Sequence, residues 1–223
     1  MSLRKTPFIS SEYYHVYNRG NSKQEIFNDA EDYQRFMALL YTCNSGNSFR
    51  MSLVKEGVEK NPYLWERGNQ ISSIGAYCLM PNHFHLLIAE KESGGVSKFM
   101  QKLSTAYVMY HNIKYERTGG LFEGKFKSEH LDTDQYLKYI FSYIHLNPLK
   151  LVQKDWKERG IKNKKASLNY LNNYGYSSYL DFKGVERKES AILDRKAYSD
   201  YFSPTKSFER EILDWINYKN QYE

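Results

Sequence analysis

The stretch LMPNHFHLLIAE, residues 79–90, sets two histidines, His83 and His85, one residue apart just after a Pro81-Asn82 turn. In an extended strand, side chains alternate between faces. His83, His85 and Leu87 therefore point one way, and Phe84, Leu86 and Ile88 the other. Strand geometry separates the two histidine Cα atoms by about 7 Å. At that spacing both imidazoles can converge on one cation, and neutral imidazole is a common ligand for divalent metals. The same pattern also fits two surface histidines at a sheet edge, and a pair of ligands does not complete a site.

A second group lies further on, in YLKYIFSYIHLNPLK (136–150). Tyr139, Tyr143 and Asn147 are spaced four apart and share one helix face. Leu137, Phe141 and Ile144 occupy the opposite side and suit burial. If the polar stripe faces the histidine pair, the Asn147 side-chain oxygen can complete the metal site. Mixed nitrogen and oxygen ligation of that kind suits magnesium or manganese. A metal there acts as a Lewis acid on a phosphate, and the Tyr143 oxygen can attack phosphorus to form a covalent ester. A free phenol has a pKa near 10, so it needs help; Lys125 and Lys127 in GKFK are the nearest candidates by sequence. Read blandly, the tyrosines are helix packing and Asn147 is a helix stop before Pro148.

The composition agrees with a nucleic-acid partner without requiring one. The 223 residues carry a formal charge of +6, 21 Tyr and 12 Phe. Cations meet phosphates and aromatic faces stack on bases, a combination suited to single strands. Tyr-, Lys- and Asn-rich usage is also what a low-GC genome gives. Candidate phosphate contacts are Arg19, Lys98, Lys102, Lys125 and Lys127, with GKFK the strongest. No apolar stretch is long enough to span a bilayer, and the N-terminus has no apolar signal core. Cys43 and Cys78 form no metal-type pair and fit a reducing compartment, so the expected location is the cytoplasm.

MPNHFHLLI, GGLFEGKFKS and YIHLNPLK, in this order and spacing, resemble the REP-associated tyrosine transposases. These are single-tyrosine, His-hydrophobic-His (HUH) transposases of the IS200-like superfamily. YHVYNRGN near the start and YGYSSY after residue 170 add to the resemblance, which covers roughly residues 10–180. It implies that His83 and His85 hold a divalent metal (Mg2+ or Mn2+), that Asn147 completes the site, and that Tyr143 is the nucleophile. It also implies a single-stranded DNA endonuclease and strand transferase, acting on hairpin or REP-like palindromic DNA through a 5′-phosphotyrosine bond, and associated with the nucleoid. A homodimer, and a site built within one chain or shared between two, are both open. Against this stand a non-catalytic nucleic-acid-binding module and a metal-dependent hydrolase using water.

The elements that must position these residues follow from periodicity. YYHVYNRG (13–20) reads as a strand and 28–43 as a helix capped by Asn28 or Asp29. Residues 71–80 and 83–90 read as strands joined by a tight turn, and 95–117 as the longest helix, ended by Gly119-Gly120. Residues 121–132 look strand-like, and 133–148 form a helix capped by Asp132 or Thr133. This order gives an α+β fold with a ferredoxin-like antiparallel sheet, the HUH endonuclease arrangement. Residues 1–150 form that domain, with 44–70 as a loop or insertion. Residues 151–223 read as a mostly helical C-terminal extension, partly docked. Its charged, Asn-rich start suits a linker, and its terminal helix spans about 207–219, with Phe208, Ile212, Trp215 and Ile216 on one stripe.

Overall fold

The computed structural model describes residues 7–10, 12–47, 61–199, 201–202 and 208–217, the last three by backbone alone. Four strands, β1 (Tyr13–Arg19), β2 (Ser72–Met80), β3 (His83–Glu90) and β4 (Lys127–His130), form one sheet in the order β2-β3-β1-β4. Every neighbouring pair is antiparallel. With α1 (Ala30–Thr42) between β1 and β2, and α2 (Gly95–Lys114) between β3 and β4, this is the ferredoxin-like arrangement expected from the element order.

The two sheet faces are covered differently, as the alternation in β3 requires. Phe84, Leu86 and Ile88 are fully buried. The Phe84 ring meets Phe36 of α1 at 5.0 Å between centroids, and Phe36 meets Tyr107 of α2 at 4.9 Å. The stripe Val96, Phe99, Met100, Leu103 and Tyr107 faces inward, as its helical spacing predicts. Helix α1 starts on Asp29, whose carboxylate accepts from the Asp32 backbone N–H. Helix α2 has only Gly94 at its N-cap; the buried Glu90 carboxylate accepts from the N–H groups of Gly94 and Val96 instead.

The opposite face carries the histidines and receives α3 (Asp134–Leu146), capped by the Thr133 hydroxyl and continued by a 3-10 turn, Asn147–Leu151. Leu137, Ile140, Phe141 and Ile144 are buried beneath it. The segment read as strand over 121–132 forms a strand only at Lys127–His130; before it, Phe122 makes an isolated antiparallel bridge with Gly20. Gly119 and Gly124 ahead of it take φ of +84° and +141°, conformations that break a strand and favour glycine.

The chain after residue 150 is built into this body rather than trailing as a linker. It forms α4 (Trp156–Arg159), α5 (Lys164–Asn172), α6 (Tyr179–Phe182) and α7 (Phe208–Asn217), besides short 3-10 turns. Residues 176–178 run along the free edge of β2. There the Leu79 N–H donates to the Tyr176 carbonyl, and the Ser178 N–H to that of Tyr77, each at 2.9 Å. Arg187 donates to Asp181, to the Tyr77 hydroxyl and to the carbonyls of Gly175 and Ser177, closing this segment over β2. Gly75 sits at a bulge in β2, and the Tyr198 ring lies where its Cβ would be, only 2.6 Å away. Phe208 and Ile212 of α7 are buried, as the stripe predicts, and so is Leu213, which the stripe did not include; the Trp215 and Ile216 side chains, and residues 48–60 of the expected insertion, lie outside the described residues.

Candidate active site

The register of the sheet fixes which side chains share the histidine face. Tyr17 stands opposite His85, Arg19 opposite His83 and His15 opposite Leu87. On the other flank of β1, Glu129 stands opposite His15 and Lys127 opposite Tyr17. All of these project to the side covered by α3.

The two histidines converge as expected, with ring centroids 5.0 Å apart and planes at 87°. Each has its Nδ1 engaged: His83 with the Asn82 side-chain oxygen at 2.6 Å, His85 with Nε2 of His15 at 2.9 Å. Asn147 is buried at the end of α3, with its amide beside His83. Nε2 of His85 and Oδ1 of Asn147 are both buried without a hydrogen-bond partner. Burial lowers the His83 pKa to about 4, helped by the Lys150 charge and opposed by the Asn147 amide. His85 lies well below the ordinary imidazole range, chiefly through burial and then through its His15 and His83 neighbours. Both rings are therefore neutral at neutral pH and keep a lone pair for a cation. A buried imidazole nitrogen and a buried amide oxygen, both unsatisfied and both next to His83, fit a divalent ion. Among the described residues no group of three or more His, Cys, Asp or Glu side chains is arranged as a metal cluster; the set here is His-His-Asn.

Tyr143 reaches this group from α3. Its ring lies 5.4 Å from that of His85 and 6.2 Å from that of His15, centroid to centroid. Trp156 lies behind it at 6.3 Å, and Lys157 Nζ stands 5.2 Å from its centroid. Tyr17 also borders His85, at 6.0 Å, but its hydroxyl donates to Glu129 at 2.9 Å. Burial first, and then Glu129, push the Tyr17 phenol up to about 12. Tyr139 and Tyr136 continue the stripe, their rings stacked successively at 6.4 Å.

Helix α3 is held in place from below. The buried His145 uses Nδ1 on the Phe141 carbonyl and Nε2 on the Ser178 hydroxyl, each at 2.8 Å. Ser178 in turn accepts from the Tyr77 N–H of β2. The helix that carries Tyr143 is thus tied to the sheet through the segment after α5.

The site opens into a cleft of about 780 Å³ whose lining includes His83, His85 and Tyr143 together with Arg19, Lys23, Lys127, Lys150 and Lys154. Of the five cations expected to contact phosphate, Arg19 and Lys127 line it. Arg19 is paired there with Glu123. Lys125 is exposed on the approach to β4 and is not part of the lining. Lys98 and Lys102 belong to α2, on the other side of the sheet; Lys98 stands 3.9 Å from Glu92, and Lys102 donates to the Ser45 and Asn47 carbonyls. Sequence reasoning missed Lys150 and Lys154, which follow the helix in a stretch read as its end and a linker. It also missed His15, Glu129 and Tyr136, which only the strand register and helix docking bring to the site.

Residues 68–147 match the family model described as Transposase IS200 like. The matched segment runs from the approach to β2 to Asn147, so it contains both histidines, Tyr143 and Asn147. Over that segment the chain is similar to IS200-like transposases. Among solved structures, one described as "Structure of the REP associates tyrosine transposase bound to a REP hairpin" is similar, at 12% identity and a TM-score of 0.48. That similarity covers 85% of this chain and 90% of that one. A comparison with curated proteins gave no match.

Proposed function

We propose that this chain nicks and rejoins single-stranded DNA, with Tyr143 as nucleophile, at hairpin or palindromic sites of the kind handled by the transposases its motifs resemble. The observation that carries the reading is the convergence of Tyr143, His83 and His85 in one cleft that Arg19, Lys127, Lys150 and Lys154 also line, with the buried Asn147 amide beside His83, all from a single chain. A divalent ion held by His83, His85 and Asn147 would supply Lewis-acid polarisation of the scissile phosphate. Two imidazoles to one oxygen favour manganese over the oxygen-seeking magnesium.

The chain's own groups do the rest. Lys127, Lys150 and Lys154 draw the phosphate backbone along the cleft and fix its register. The α3 anchor through His145 and Ser178 orients Tyr143, so the attack starts from a positioned oxygen. The Tyr143 oxygen bonds to phosphorus, the bond from phosphorus to the 3′ oxygen breaks, the phenol proton leaves to solvent, and the 3′ oxygen takes a proton. The product is a 5′-phosphotyrosine with a free 3′-hydroxyl. Attack by another 3′-hydroxyl reverses the step, so rejoining needs no nucleotide cofactor.

The test is a denaturing gel after incubation with hairpin-flanked single-stranded DNA and Mn2+. A shifted, covalent protein–DNA band that disappears in Tyr143→Phe is expected. Binding without any band would leave a nucleic-acid-binding module, and cleavage surviving Tyr143→Phe would mean a water nucleophile.

A further inference from the structure

His15 and Glu129 lie outside the set of groups assigned above to ligation and attack, yet they touch it. His15 is buried on β1; its Nε2 is 2.9 Å from Nδ1 of His85, and the two rings lie 5.0 Å apart at 23°. Its Nδ1 is 3.6 Å from Oε2 of Glu129. The same carboxylate accepts from the Tyr17 hydroxyl at 2.9 Å and from the Tyr136 hydroxyl of α3 at 3.0 Å.

One hydrogen bond joins the two imidazoles, so one ring donates and the other accepts, and the choice sets both tautomers. If His15 donated from Nε2, its Nδ1 lone pair would face the Glu129 carboxylate. His85 would then carry its proton on Nε2, a buried donor with nothing to accept it and of the wrong polarity for a cation. If His85 donates from Nδ1, His15 carries its proton on Nδ1, directed at Glu129. Nε2 of His85, buried and without a protein partner, then offers a lone pair to the site. Nδ1 of His15 and Nε2 of His85 are both buried without a hydrogen-bond partner, so either arrangement leaves one donor and one acceptor unpaired; the second is favoured because it turns an N–H, not a lone pair, toward the Glu129 carboxylate 3.6 Å away. His83 reaches the same tautomer by a different partner, since the Asn82 oxygen can only accept from its Nδ1–H.

We infer that Glu129 and His15 form a relay that holds the proton of His85 on Nδ1 and so presents Nε2 as the ligand atom. Both are positioning residues, acting through His85. Because Tyr136 shares the carboxylate, the relay also joins ligand orientation on β3 to the placement of the tyrosine helix. The inference rests on the reading of His85 as a ligand, but its test does not depend on DNA cleavage.

The probe is the metal-free protein labelled with 15N-histidine, in which long-range 1H–15N correlations report the protonated nitrogen of each of the six histidines. His85 is expected as Nδ1–H, with His15 also Nδ1–H. Glu129→Gln, which can turn an N–H toward His15, is expected to move His85 toward Nε2–H and to weaken Mn2+ binding, read by electron paramagnetic resonance, by about 10- to 100-fold. His15→Leu is expected to weaken Mn2+ to a similar degree. An Nε2–H His85 in the unsubstituted, metal-free protein overturns the inference without any variant. So does a Glu129→Gln protein that is folded and retains both the tautomer and the Mn2+ affinity within twofold. A normal Tyr143 adduct beside an Nε2–H His85 removes the relay and leaves the nicking reaction standing. A missing adduct beside an Nδ1–H His85 does the reverse.

Discussion

The ring of Tyr143 lies 5.4 Å from that of His85, centroid to centroid, at 78° between planes, and both belong to one chain. Tyr143 and the two histidines therefore meet within one copy, as the proposed reaction requires. Mixing Tyr143→Phe protein with His85→Ala protein should restore no covalent adduct, whereas a site shared between copies would regain a substantial part of it. A denaturing gel of the mixture reads the outcome directly.

The proposed ligation and DNA affinity should be separable in this cleft, because different residues of its lining, the histidines and the cations, would carry them. His83→Ala should abolish adduct formation, a loss of at least about 10²-fold, while changing hairpin affinity at fixed salt less than about threefold. An adduct formed at the normal rate by that variant would remove His83 from the chemistry.

Lys150 and Lys154 line the cleft, and Lys98 lies beyond the sheet. Each phosphate contact contributes about 0.7 to the slope of log affinity against log salt for a single strand. The double change Lys150→Gln, Lys154→Gln should flatten that slope by about 1.4, and Lys98→Gln should leave it alone. A salt titration by fluorescence anisotropy separates the two.

Acid should loosen the anchor of α3. Burial lowers the His145 pKa to about 3, although its bond to the Phe141 carbonyl works the other way. The unfolded chain protonates near pH 6.5, so below that pH it binds more protons than the folded one. The contribution is complete above pH 6.5 and is lost as pH falls toward 3. Between pH 6.5 and 5 the loss from this one residue is about 1.5 kcal/mol. Urea midpoints should fall over that interval, and less steeply in a folded His145→Phe variant; equal slopes would mean that His145 is not the titrating group.

Gly75→Ala tests the docking of the later chain. The added methyl meets the Tyr198 ring at 2.6 Å, and that ring is buried with its hydroxyl donating to the Ser73 carbonyl. A loss of about 1–3 kcal/mol in urea unfolding is expected. Unchanged stability would show that the Tyr198 ring moves aside at little cost.

Much of the framework was legible because its causes are local. The alternation in HFHLLIAE, the 3.6-residue stripe from Val96 to Tyr107, and the Thr133 cap each act within a few residues. Strand and helix periodicity put His83 with His85, and Tyr143 with Tyr139 and Asn147, on defined faces; the choice of Tyr143 and Asn147 came from the resemblance of the motifs. The rest depends on contacts distant in sequence. His15 sits in a tyrosine-rich strand like any buried histidine, and only the pairing of β1 with both β3 and β4 puts it between His85 and Glu129. Lys150 and Lys154 acquire meaning only once the turn after α3 brings them over the cleft. The segment 176–178 pairs mainly through its backbone, which leaves no side-chain alternation to read.

That backbone pairing governs how far the polypeptide can be shortened. Without residues 176–178, the Leu79 amide and the Tyr77 carbonyl would become an open rung on an apolar ribbon, a template for a strand from another molecule. A truncation near residue 150 would accordingly betray itself first by clumping, before any question of catalysis arose.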